Sequence, residues 1–177
     1  MTDHPSLVQT ERAMREHVES LGLDFAAAHA LSSVYRAANA VRSYVWNDLL
    51  RPYDLTWTGF VVLWVVWIFD GMETRHAAEA AAISKATLTG VVKTLEARGW
   101  IERVGRSDDR RRVELHLTDG GLALMKEIYP KFNAIERKVV GRLSGEQTAD
   151  MTQSLRQIVT TIEETGPGLT TPARGDS

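Results

Sequence analysis

Apolar residues change their spacing several times along this chain, and each change marks an element. Leu7, Met14, Val18 and Leu21 fall at helical intervals and stop at Gly22, which predicts a short amphipathic helix over 6–21. Leu31, Val34, Ala38, Val41, Val45 and Leu49 form a nearly heptad stripe, so a long helix is expected from Asp24 to about Leu50, ended by Arg51-Pro52. Thr56 caps the next helix, Trp57 to about Asp70. It is apolar almost all round and therefore expected to be buried on most sides, with Gly71 closing it. Thr74 to Ala81 reads as a short alanine-rich helix, small enough to pack tightly against its successor.

That successor carries the clearest signals. Leu88, Val91, Val92 and Leu95 recur at i, i+3, i+4 and i+7, Ser84 is a natural N-cap, and Ile83 can staple onto Leu88. Gly99 supplies a left-handed stop and Trp100 stands where a Schellman motif returns an apolar contact to Leu95, so the helix is expected over Lys85 to Arg98. Ile101 to Val104 and Val113 to Leu117 then read as a two-stranded hairpin joined by a polar, cationic connection from Gly105 to Arg112. After it, Thr118 and Asp119 can cap a helix to about Gly141, kinked at Pro130. Ser144 and Gln147 form a capping box opening a helix to about Glu164, with Met151, Leu155, Ile158 and Ile162 along one side.

These elements make a mainly α fold with a small β-hairpin wing: a winged helix-turn-helix flanked by N- and C-terminal helices. The side chains suit DNA. Ser84, Lys85, Thr87, Thr89, Gly90, Lys93 and Thr94 lie on the outward sides of the capped helix, short or thin enough to reach base edges and phosphates in a major groove. Arg103, Arg106, Asp109, Arg110, Arg111 and Arg112 belong to the hairpin, and an arginine-tipped wing suits the negative potential of a minor groove. Bland readings stand beside these: a Lys/Thr face is often just solvated, and a charged connection is often just a loop.

The adjoining arginine-tipped hairpin favours the DNA reading, and local charge supports it. The formal net charge of −2 would not suggest nucleic acid. Between Ser84 and Arg112, however, eight basic residues face four acidic ones, so this sixth of the chain carries +4 and the remainder about −6.

The segment from Leu55 to Gly121 resembles the multiple antibiotic resistance regulator (MarR) family of bacterial transcription factors. Leu55-Thr56 with Phe60 to Trp64 is similar to that family's helix before the reading head, and Lys85 to Gly90 to its recognition helix. Leu95 to Gly99 with Ile101-Glu102-Arg103 resembles the exit into the wing. Asp109-Arg110-Arg111, Leu117-Thr118 and Gly121 resemble the wing signature. Two departures concern turn geometry: Ala82 stands before Ile83 where the family often has glycine, and Ser107 replaces a proline often found near the wing's start.

The resemblance implies a homodimeric, sequence-specific regulator, most often a repressor, reading palindromic double-stranded DNA and released by a small aromatic or anionic effector. It implies that Arg111 is the minor-groove finger, with Asp109 holding an arginine in position. The domain organisation expected is an N-terminal extension at 1–23, dimerisation helices at 24–52 and 118–164, a winged helix-turn-helix at 53–117 and a disordered tail at 165–177. An effector pocket between dimer helices and reading head would draw on Trp46, Trp57, Phe60 and Trp64, with Arg36 or Arg42 as carboxylate partners, although tryptophans at helical spacing are more often core. A winged-helix interaction module and an architectural DNA binder without sequence preference stay open as alternatives.

Several classes are disfavoured. No cysteine occurs, so disulfides and thiolate metal sites are out. The five histidines are scattered without ligand spacing, and no phosphate loop, nucleophile elbow or paired carboxylates point to an enzyme or cofactor. The longest apolar run, Phe60 to Phe69, covers about 15 Å as helix against about 30 Å of bilayer core, so no membrane partner is expected. The start Met-Thr-Asp-His-Pro lacks a signal-peptide pattern, which makes the cytoplasm the expected location.

Overall fold

In the computed structural model, residues 6–105 and 113–166 are described. They fold as seven α-helices and a three-stranded antiparallel sheet: α1 (Leu7–Ser20), α2 (Phe25–Val45), α3 (Trp57–Ile68), β1 (Met72–Glu73), α4 (Thr74–Ala80), α5 (Lys85–Ala97), β2 (Ile101–Gly105), β3 (Val113–Leu117), α6 (Asp119–Val140) and α7 (Gly145–Thr165). The chain divides into two compact units, Met1–Phe132 and Asn133–Ser177, with α6 beginning in the first and ending in the second.

The core of the first unit gathers around α3. Phe60, Val62, Leu63, Val65 and Val66 are all buried, and Leu88, Val92 and Leu95 of α5 join them from the expected inner stripe. Ile101, Leu115, Met125 and Ile128 close the same core from the sheet and α6. The near-uniform hydrophobicity of α3 thus has its predicted cause, except at the C-terminal end, where Ile68 and Phe69 are about half exposed.

Caps place the boundaries. Ser84 accepts a hydrogen bond from the Thr87 amide, and Thr56 does the same for Gly59. At the other end of α5, Gly99 has φ 67°. Its amide donates to Glu96 and that of Trp100 to Leu95, the two bonds of a Schellman motif. Ser144 and Gln147 form the expected capping box on α7, and Ser6 with Gln9 forms one on α1 that hydropathy alone did not signal.

Three expectations are corrected. The wing belongs to a three-stranded sheet of order β1-β3-β2, with Met72 opposite Leu115 and Glu73 opposite Glu114. A strand of two residues has no alternation to read. The long helix does not stop at Arg51. It passes through a π-helical turn, Trp46–Leu50, into a 3₁₀ turn, Arg51–Tyr53, where Pro52 stands at a first-turn position that needs no amide donor, and Asp54 at φ 49° ends the run. Thr165 still belongs to α7, with Gly166 as its cap, so the expected tail could begin no earlier than that. The rest of the segment 165–177, to which disorder was assigned, lies outside the described residues from 167 on.

Ala82 adopts φ 52° in the turn between α4 and α5. The family's usual glycine would accept this backbone freely. An alanine there carries a steric cost of roughly 1–2 kcal/mol. The amides of Ala82 and Ile83 bond to Glu79 and Ala78, which holds the turn in that geometry.

The N-terminal extension packs on α2. Glu11 lies 3.3 Å from both Arg36 and His29, Ser32 donates to the sulfur of Met14, and Arg15 sits over the Phe25 ring.

Candidate nucleic-acid interface

α5 presents two faces because its apolar residues fall on one arc and its polar ones on the other. Lys85, Thr87, Thr89, Gly90, Lys93 and Thr94 are all exposed, together with the capping Ser84. The space above Gly90 is open: a Cβ built there would meet nothing within 4 Å. Among the described residues Lys85 and Lys93 have no ion-pair partner. The hydroxyls of Thr89 and Thr94 donate back to the carbonyls of Lys85 and Gly90. That satisfies their protons and leaves lone pairs and methyl groups outward, able to accept from a base edge or touch a thymine methyl.

Beside this face runs a groove of about 290 Å³ between α4, α5 and β2, lined by Thr74, Arg75, Lys85, Thr89 and Arg103 above a floor of Leu88 and Val92. Arg103 is the one wing arginine among the described residues, and its Nε donates to both carboxylate oxygens of Glu96 at 3.1 Å. Arg106, Asp109, Arg110, Arg111 and Arg112, the rest of the expected wing site, lie outside the described residues. Sequence reasoning missed Thr74 and Arg75 of α4. The only signal was the Arg75 and Glu79 pair at i and i+4, which by itself reads as a solvated helix face.

Arg98 and Trp100 fix the far end of α5. The Arg98 guanidinium donates to the carbonyls of Tyr53 and Asp54 and lies 3.9 Å from the centre of the Trp100 ring. This arginine is therefore committed to structure rather than to the outward face. Tyr53 in turn hydrogen-bonds Glu127 of α6, and Lys131 donates to both. Those contacts hold the Glu127 carboxyl below the usual glutamate value and raise Lys131 above the usual lysine value; in each case the hydrogen bond between the two is the larger cause and the one to Tyr53 the next.

The expected effector residues lie on α2, the π-helical turn and α3. Phe60 is core at 2% exposure, with its ring 4.9 Å from Phe132 and 6.0 Å from Trp57, so an aromatic side chain already fills the space beside it. Arg36 has a carboxylate partner in Glu11. Trp46 is 42% exposed on the π-helical turn, Arg42 is exposed on α2, and Trp57 and Trp64 are half-buried on α3.

A two-helix reading head with a sheet-based wing is the architecture of a winged helix-turn-helix protein. The MarR family model matches residues 55–113. An HTH-type transcriptional regulator of Bacillus subtilis, YwaE, is 32% identical over 148 residues, covering 84% of this chain and 85% of its own. The fold matches a mutant MarR from E. coli complexed with operator DNA, at TM-score 0.67 and 21% identity over 76% of this chain and 96% of that one. It also matches Bordetella bronchiseptica BpsR, whose DNA binding is regulated by 6-hydroxynicotinic acid, at TM-score 0.66 and 26% identity over 72% of this chain and 91% of that one. The chain belongs to the MarR family: it is a transcriptional regulator with a DNA-binding winged helix, and no enzyme family is indicated. Among the described residues no helix is long and apolar enough to cross a membrane.

Proposed function

We propose that this regulator acts as a homodimer on palindromic operators, as a repressor released by a small aromatic or anionic effector. The observation that carries the reading is the exposed outward face of α5, with two lysines that have no ion-pair partner among the described residues, its threonines and the open space above Gly90. In a dimer, two such faces read inverted half-sites about one duplex turn apart. Self-association is supported by α7, which has no buried residue although Met151, Leu155, Val159 and Ile162 carry exposed apolar side chains on it.

Ser84, Lys85, Thr87, Thr89, Gly90, Lys93, Thr94 and Arg103 would meet the major groove and its phosphates, and Arg106, Arg110, Arg111 and Arg112 would serve the minor groove with Asp109 positioning an arginine. The effector reading rests on the BpsR relative and on the half-buried Trp57 and Trp64, with Arg42 as an arginine that has no carboxylate partner among the described residues. An effector acts by preferring a spacing of the two heads that no longer fits successive grooves.

Selection of bound duplexes from a random pool tests the whole reading. A palindrome is expected, and recovery of unrelated sequences would instead mark an architectural binder. Within the recovered site, Thr89→Ala is expected to change base preference at one position of each half-site. Arg111→Ala is expected to weaken all duplexes and flatten the salt dependence by a slope of about 0.9 for each phosphate no longer neutralised.

A further inference from the structure

Arg103 lies on β2 two residues beyond Ile101, so the two side chains share a face of the sheet. Ile101 is buried on that face, and Leu115, directly opposite Arg103 on β3, is buried as well. Arg103 is thereby directed toward the recognition helix rather than away from it. On α5, Lys85, Thr89, Val92 and Glu96 follow one another at i, i+4, i+7 and i+11, which makes a single stripe along the groove. Glu96 ends that stripe and receives the Nε proton of Arg103 on both its oxygens, with the two side chains about one-third exposed.

A carboxylate so near a face that meets phosphates weakens attraction to every duplex alike. Among the described residues Glu96 bonds Arg103 only through Nε, which restricts where the side chain can swing and leaves the two terminal nitrogens of the guanidinium for another acceptor. An arginine ordered before binding loses less rotamer freedom when it meets its target, and only a correctly seated duplex gains from that.

We propose that Glu96 is a positioning residue for DNA specificity: it fixes the Arg103 guanidinium at the mouth of the groove beside Lys85 and Thr89, so that a matched duplex is favoured over an unmatched one. The inference rests on the sequence-specific DNA reading above. Glu96 acts through Arg103 and need not touch DNA.

Binding of a fluorescein-labelled duplex recovered from the random pool and of a mixed-sequence duplex of equal length is measured by anisotropy for wild type, Glu96→Gln, Arg103→Ala and the double variant. The ratio of the two affinities is expected to fall by roughly 2–10-fold in Glu96→Gln. In the double variant it is expected to be no lower than in Arg103→Ala alone. Melting curves check folding. Should Glu96→Gln fold poorly, Arg103→Lys keeps the charge while losing the planar fork, and it is expected to lower the ratio in the same way. Equal tightening on both duplexes in Glu96→Gln, or an unchanged ratio, overturns the proposal and leaves the DNA reading intact. Equal affinity of wild type for both duplexes overturns both.

Discussion

α3 and α7 show opposite solutions to carrying apolar residues. Six of the twelve residues of α3 are buried within the first unit, whereas none of the twenty-one residues of α7 is buried. α3 is hydrophobic on nearly every side and is covered on all but the face of Trp57, Val61, Trp64 and Ile68, which stays half-buried to exposed. α7 is amphipathic, well capped and uncovered. A capping box contributes about 1 kcal/mol, too little to hold a helix of this kind without tertiary contacts. The reading head therefore brings its own core, and in the proposal above a second copy covers the terminal helix.

Substitutions can break this contrast from either side. Leu63→Ala, at a fully buried site in α3, is expected to cost about 2–5 kcal/mol of head stability, read from urea denaturation. Val159→Asp on the exposed stripe of α7 should leave that head transition in place. It should weaken self-association roughly tenfold or more in sedimentation equilibrium, and a head transition that moved as far as with Leu63→Ala would remove the distinction. Ser84→Ala is expected to cost about 0.5–2 kcal/mol through loss of the α5 cap, with a proportionate loss of DNA affinity.

The smallest effect is expected at the Tyr53, Glu127 and Lys131 network. The lowered Glu127 value means its contribution is present above the ordinary 4.5 and fades as pH falls through the folded value. The raised Lys131 value means its share is present below the ordinary 10.5 and fades as pH rises through the folded value. Because the network is exposed, the shift is modest. Melting temperatures of wild type and Glu127→Gln should converge in acid, and parallel curves would deny the network any pH-linked role.

How far the sequence revealed this molecule follows from the range of each signal. Local chemistry was legible: Ser84, Thr56, Gly99 and the Ser144 box each act within four residues of themselves, and the boundaries they set are those observed. The inner stripe of α5 was legible because burial of Leu88, Val92 and Leu95 follows helical period. Contacts distant in sequence were not legible. Nothing near Met72 announces its pairing with Leu115, nothing near Arg98 points to the Tyr53 carbonyl, and nothing near Arg36 announces Glu11. Among site residues, the outward face of α5 was therefore foreseen, while the groove shared by Thr74, Arg75 and Arg103 came only with the fold.

Gly121, in the first turn of α6, sits where any larger residue would run into the Trp100 carbonyl, since a Cβ there would lie 1.9 Å from that oxygen. The Thr118 amide donates to the same carbonyl, and its hydroxyl reaches the Gly99 carbonyl. The root of α6 is thus clasped to the exit of α5 by one backbone bond and the Thr118 hydroxyl. The first turn of α6 and the end of the recognition helix can therefore part only by giving up both Thr118 bonds, so a change at one is felt at the other.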